Sequence, residues 1–352
     1  MADPALRFAI VGCGVIGPNH ARAIRELPEA ELVAVCDVVP ERAQSMGEAF
    51  DVDHGSDLDQ LLARADVDAV CVCVPSGLHA EIGVRAARAG KHVVCEKPID
   101  VSLESADRLI AAAHESGVTL TVISQNRFAP GLRSMKELID SGRLGKLIIG
   151  DSIIKWWRSQ EYYDSGDWRG TWELDGGGCL MNQGVHYVDL LQWMMGPVKS
   201  LVARTATLAH QRIEVEDVAT AMITFESGAL GLLHASTAVY RGLPERLEVT
   251  GTNGTAVIEK NVLVRTELID DSAGSGAQAA EANEDNTAAD PAALGAQGHA
   301  AQIADFIGAV REGRDPKVTG EAARKPLEII LAVYESARRG GPVTFPLAWT
   351  SA

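Results

Sequence analysis

The chain is short of several things. It has no run of about 18 apolar residues, which leaves no candidate for a helix spanning a membrane. It has no basic surplus: 32 Lys and Arg stand against 48 Asp and Glu, a net charge of −16, which argues against a nucleic-acid surface. Aromatic residues are few, at 5%. No internal repeat occurs, and no His or second Cys pair accompanies Cys71-x-Cys73 at zinc-ligand spacing, so no metal is expected. The start, Met1-Ala-Asp-Pro4, lacks the basic region of a signal peptide, and the expected location is the cytoplasm. Cys13, Cys36, Cys71, Cys73, Cys95 and Cys179 mostly lie in apolar strand-like runs and read as reduced, small hydrophobes.

What is present is a globular composition, 46% hydrophobic and 23% charged, over 352 residues, enough for two domains with separate cores. Up to about residue 125, short apolar runs (Arg7 to Val11, Leu32 to Cys36, Ala69 to Val74, His92 to Cys95, Thr119 to Ile123) alternate with helix-like stretches. That alternation predicts an α/β, doubly wound parallel sheet of the Rossmann kind over 1–125. From 126 to 352 strands follow one another, which predicts an α+β domain with an open, mostly antiparallel sheet. Gly251-Thr-Asn-Gly254 predicts a tight hairpin, and two helices close the chain near His299 to Glu312 and Glu321 to Arg338. The span 270–297 is built of Ala, Gly, Ser, Asn and acids and is expected to be a mobile acidic surface loop.

The first strand runs into Gly12-Cys-Gly14-Val15-Ile16-Gly17. At Gly12 the chain can turn sharply, at Gly14 a pyrophosphate can approach the backbone, and at Gly17 the next helix can pack close. Twenty residues on, the second strand ends at Asp37, placed to accept hydrogen bonds from an adenosine ribose and to repel a 2′-phosphate. NAD is therefore the expected cofactor; Arg42 leaves NADP as the lesser alternative. The fourth strand ends in Glu96-Lys97-Pro98 at the carboxyl edge of the sheet, where a lysine beside a cationic nicotinamide would be tuned toward proton transfer.

Together with Pro75-Ser76-Gly-Leu-His79 and Gly176-Gly-Gly-Cys-Leu-Met-Asn182-Gln-Gly-Val-His186-Tyr-Val-Asp189, these motifs resemble the Gfo/Idh/MocA oxidoreductases over nearly the whole chain. The resemblance implies an NAD(P)-dependent dehydrogenase or reductase acting on a CH–OH carbon of a sugar, sugar derivative or nucleotide sugar. It implies catalysis by Lys97, a cis peptide before Pro98, a nicotinamide-ribose contact from Glu96, and His186 as acid/base partner. Inositol-type members carry aspartate where this chain has Asn182, and an amide cannot act as a base. His186 is assigned as general base in the oxidative direction with Lys97 polarising the same oxygen, or the reverse. Asp189 is left between orienting the imidazole and capping.

Pro75, Ser76 and His79 are expected near the cofactor, with a helix-cap role equally open for His79. The segment 156–172 holds four of the six tryptophans and two of the five tyrosines. Rings interleaved with polar groups suit a carbohydrate. Arg158, Tyr163, Trp168 and Arg169 are its pocket candidates, Asn126 and Arg127 are further ones, and Trp156 and Trp172 are expected in a core or subunit contact. His299 is expected to be structural. The rival readings are a cyclitol or trans-dihydrodiol dehydrogenase and a non-catalytic NAD- or sugar-sensing regulator. A homodimer or homotetramer is expected.

Overall fold

The computed structural model describes residues 4–270 and 297–347. In chain order it runs β1 (Leu6–Val11), α1 (Gly17–Arg25), β2 (Ala30–Cys36), α2 (Pro40–Phe50), β3 (Asp53–Gly55), α3 (Leu58–Leu62), β4 (Ala69–Val72), α4 (His79–Arg88), β5 (His92–Cys95), α5 (Leu103–Ser116) and β6 (Leu120–Val122). It continues with α6 (Pro130–Asp140), β7 (Leu147–Lys155), α7 (Gln160–Asp164), α8 (Val185–Met195), β8 (Val198–Ala206), β9 (Val218–Phe225), β10 (Leu230–Ser236), β11 (Arg246–Gly251), β12 (Gly254–Glu259) and β13 (Val262–Leu268). It ends with α9 (Gln297–Glu312), α10 (Gly320–Arg339) and β14 (Val343–Thr344). Apart from its two end residues, the proposed acidic loop 270–297 lies outside the described residues.

Two compact units result. In the first, six parallel strands lie in the order β3-β2-β1-β4-β5-β6, so the winding reverses between β1 and β4, where open α/β sheets bind ligands. All four residues of β4 are buried, as expected for a strand covered on both faces. The first unit also takes back the chain near its end: described residues 297–324 belong to it, which corrects the assignment of everything after 125 to the second domain. The cause is apolar packing. Ile303, Phe306 and Ile307 of α9 sit in one cluster with Phe8, Ile10, Ile24 and Val35.

The second unit holds an eight-stranded sheet, β13-β12-β11-β7-β10-β9-β8-β14. Every pair is antiparallel except β7 with β10, which run parallel. The β11–β12 hairpin closes on Gly251 opposite Gly254, as the sequence predicts. Alternation along β9 buries Ala219, Ala221, Ile223 and Phe225 and turns Met222 outward. No helix among the described residues is long and apolar enough to cross a membrane.

Candidate active site

In the first unit, Gly12 follows β1 with φ +101°. A Cβ there would stand 2.3 Å from the carbonyl oxygen of Cys73, so the turn admits only glycine. At Gly17 a Cβ would meet the Gly12 carbonyl oxygen at 2.4 Å. Around Gly14 nothing lies within 4 Å of such an atom, and Val15 beside it is exposed, which leaves open backbone for an anion. Ile16 ends the loop at the start of α1, whose N-terminus has no side-chain cap. Asp37 holds this loop in shape: its carboxylate accepts the N–H of Cys13 at 2.8 Å and that of Val39 at 2.9 Å. Each oxygen retains acceptor capacity for a ribose hydroxyl. Burial and the neighbouring Asp37 push the Cys13 thiol up to about 12, which keeps it protonated. The loop fits a dinucleotide.

At the ends of β4 and β5, Lys97 is half-buried and the Lys97–Pro98 peptide is cis. Glu96 differs from the expected ribose contact. It is 5% exposed and turned inward, with Oε1 2.7 Å from His20 Nε2 and Oε2 accepting the Lys97 N–H at 3.1 Å. His299 Nε2 lies 3.4 Å from the same Oε1, and the two imidazoles meet edge to face at 5.1 Å. Burial alone would push the Glu96 carboxyl up, but the hydrogen bond with His20 and the nearby His299 imidazole outweigh it and hold the carboxyl well below its usual range. Burial pushes the His20 imidazole down against the pull of Glu96, giving a neutral ring that donates to a carboxylate. These three side chains are a metal-capable group among the described residues. Yet 2.7 Å is a hydrogen-bond length, whereas two ligands held about 2.0–2.1 Å from a tetrahedral ion stand roughly 3.3 Å apart.

His79 also differs from expectation. It is 1% exposed, with Nδ1 2.7 Å from the Pro98 carbonyl and Nε2 2.9 Å from that of Val74. It ties the two loops together, which takes it away from both a cofactor contact and a cap. Pro75 and buried Ser76 precede it, Ser76 opening a single turn of 3₁₀ helix.

The second unit carries the other candidates. A π-helical turn, Cys179–Gly184, leads into α8. From Cys179 to Gln192 every residue is buried except Asn182 and His186, which are half-buried. Four residues apart, they form the one accessible stripe of that stretch. The turn is pinned from beneath by Glu216, whose carboxylate accepts the N–H groups of Gly178 and Leu180, both at 2.9 Å, and the Tyr334 hydroxyl at 3.0 Å. The doubt over Asp189 is resolved in favour of neither option. It forms a buried two-pronged ion pair with Arg127, at 2.8 Å and 2.5 Å, and the guanidinium lies over the Trp193 ring. Asn126 is half-buried in the adjoining turn Gln125–Phe128.

In the aromatic segment, Tyr163 is a core residue rather than a pocket wall. Its hydroxyl pairs with Thr237 Oγ1 at 2.9 Å and its ring packs on His210. Trp156 is buried as expected, but Trp172 is 46% exposed and packs edge-on against Tyr334. Arg158 is buried and stacked on Trp156 and Tyr162, and it donates to the Trp157 carbonyl at 2.8 Å. Half-buried Arg169 lies 4.3 Å from the Tyr162 centroid and 4.6 Å from that of Trp168. Tyr162 thus has two guanidinium groups against its ring. Sequence reasoning missed His20, Asp175 and Glu216, since a lone buried polar residue announces no partner.

The first unit is a dinucleotide-binding Rossmann module, and its sequence matches the model of the oxidoreductase family with an NAD-binding Rossmann fold over residues 6–124. Residues 132–257 match the GFO/IDH/MocA C-terminal domain, and the chain belongs to that family of oxidoreductases. The WlbA dehydrogenase of Bordetella pertussis, crystallised with NADH and UDP-GlcNAcA, is 36% identical, with 99% of each chain covered and a TM-score of 0.90. The uncharacterised oxidoreductase YrbE of Bacillus subtilis is 31% identical over 72% of this chain and 73% of its own. Myo-inositol 2-dehydrogenase of Thermotoga maritima is 28% identical over 94% of this chain and 96% of its own.

Proposed function

We propose that the protein is an NAD-dependent dehydrogenase of a nucleotide-linked sugar acid, oxidising a secondary hydroxyl of the sugar. The observation that carries this reading is the pair of guanidinium groups, Arg158 and Arg169, held against Tyr162 in an aromatic segment of a strongly acidic chain. Guanidinium groups stacked on rings recognise a carboxylate or phosphate, and nearby ring faces cover sugar C–H groups. Support comes from the likeness to WlbA of Bordetella pertussis and to WlbA of Chromobacterium, 35% identical over 99% of this chain, both crystallised with UDP-GlcNAcA.

Gly12, Gly14, Val15, Ile16, Gly17 and Asp37 would hold the NAD, and the nicotinamide supplies the hydride acceptor when bound. His186 takes the hydroxyl proton as the C–H bond breaks, and Asn182 orients that hydroxyl. The Lys97 ammonium stabilises the charge growing on the oxygen. The outer face of the second sheet carries Met222, Leu230 and Ile149, all exposed, with Met222 beside Leu232 and Val202 in the ladder. A second copy covers this face in a homo-oligomer.

The experiment is to offer NAD with UDP-hexuronates, UDP-hexoses and inositols and follow reduced nicotinamide. Turnover is expected with UDP-hexuronates, and Arg169→Met should raise KM for the acid while leaving KM for the matching neutral sugar unchanged. Preference for an inositol, or an equal KM effect on both sugars, refutes the acid reading. Met222→Lys should shift the species in light scattering to monomer.

A further inference from the structure

Each half of a doubly wound sheet takes one mononucleotide. With Asp37 at the end of β2 assigned to the adenosine ribose, the half made of β4, β5 and β6 is left for the nicotinamide. Glu96 follows directly on β5 in that half. Its carboxylate is buried and ionised, and it is held at both oxygens: Oε2 accepts the Lys97 N–H, while Oε1 accepts from Nε2 of His20 in the first turn of α1, just behind the glycine loop.

The charge of Glu96 is felt by several buried groups. Burial above all, with that charge adding to it, pushes the thiols of Cys71, Cys73 and Cys95 up, so they stay protonated. Burial pushes the imidazoles of His20 and His79 down against the pull of the same carboxylate, so they stay neutral. None of these groups supplies a positive charge to cancel it. The nicotinamide ring is a cation in NAD and neutral in NADH, whereas the rest of the two molecules carries the same charge. A buried anion in the nicotinamide half therefore acts on one form and hardly on the other, through a medium that shields it poorly.

We propose that Glu96 is a fixed counter-charge that favours the oxidised over the reduced cofactor, with His20 as the positioning residue that holds it inward. NAD brings a second positive charge to the neighbourhood of Lys97, and the carboxylate offsets it. The arrangement favours loading of NAD and release of NADH, while lowering the driving force for hydride transfer on the protein. It does not depend on which sugar is oxidised.

The test is calorimetric titration of the protein with NAD and, separately, with NADH, with the ligand-free unfolding midpoint as a check on folding. Glu96→Gln keeps the shape of the site: the new amide accepts the Lys97 N–H through its carbonyl and donates its NH2 to His20, whose proton moves to Nδ1. Only the charge is lost. The ratio Kd(NAD)/Kd(NADH) should rise about tenfold, the order expected of one unit charge acting through a protein interior, and equal to about 30 mV in the potential of the bound couple. Glu96→Asp keeps the charge and should keep the wild-type ratio, even if both affinities fall. His299 Nε2 lies 3.4 Å from Glu96 Oε1, and His299→Gln should also leave the ratio as it is. An unchanged ratio in Glu96→Gln, or an equal loss of both cofactors, overturns the proposal. A fall of the ratio in His299→Gln would show that this imidazole already cancels the charge, and overturns it as well. If Glu96→Gln does not fold, Glu96→Asp decides, because a tenfold rise of the ratio with the charge still present refutes the role. No sugar enters the measurement, so it stands whether or not the protein turns over a UDP-hexuronate.

Discussion

Asp189→Ala is the sharpest perturbation of the second unit. Arg127 and Asp189 have side-chain exposures of 8% and 4%, and the guanidinium is covered by Trp193. Removing the carboxylate leaves a cation with neither water nor counter-ion, and breaking a buried pair this way costs about 3–5 kcal/mol. Against a usual total of about 5–15 kcal/mol, that is a large fraction of the stability. Replacing both partners by apolar residues of similar volume removes the stranded charge, so Arg127→Met with Asp189→Leu should regain most of the loss. Urea titration followed by tryptophan fluorescence suits the measurement, since Trp193 lies against the guanidinium. With a slope of about 1–3 kcal/mol per molar urea, the Asp189→Ala midpoint should fall by roughly 1 M or more. A midpoint within experimental error of wild type, or a double variant as unstable as the single, would show that the pair does not hold α8 in place.

Lys97→Ala should lower turnover by about 10²–10⁴-fold with NAD affinity, measured by calorimetry, little altered; unchanged turnover removes Lys97 from the chemistry. Asp37→Ala should weaken NAD and relax discrimination against NADP, since the carboxylate that shapes the glycine loop is the one proposed to read the ribose; an unaltered NAD/NADP ratio assigns that reading to another side chain. Acid should destabilise the first unit in two stages. His20 stays neutral in the fold, so below about pH 6.5 the unfolded chain binds a proton that the folded one refuses, costing about 1.4 kcal/mol per pH unit while that holds. Glu96 is depressed in the fold, so its contribution is present above its unfolded value near 4.5 and is lost as pH falls through the lower folded one. His20→Gln should flatten the upper stage of a plot of unfolding temperature against pH, and an unchanged slope counts against the pairing.

The glycine loop, Asp37 and the strand-helix alternation were legible because backbone chemistry fixes them: a positive φ at Gly12 and a missing Cβ at Gly17 leave one residue type. Strand β3 was not legible, since Asp-His-Gly is fully exposed and carries no apolar signal. Nor was the return of α9, because a face of Ile303, Phe306 and Ile307 says that a helix is buried and not against what. The site candidates divide similarly. Asn182 and His186 share the accessible stripe that their spacing implied. Glu96, His79 and Tyr163 are each taken by an internal partner that lies far off in sequence or on the backbone, and no local pattern names such a partner.

The late return of the chain has a consequence during synthesis. When the ribosome has made β1 to β6, the nascent polypeptide still lacks the helix that covers Phe8 and Ile24 and the imidazole beside Glu96. That face stays bare until translation has passed residue 312, by which time strands β7 to β13 of the second sheet have been made. A fragment stopped at residue 125 should therefore be sticky and poorly folded, whereas one joining it by a short linker to 297–324 should behave as an autonomous module.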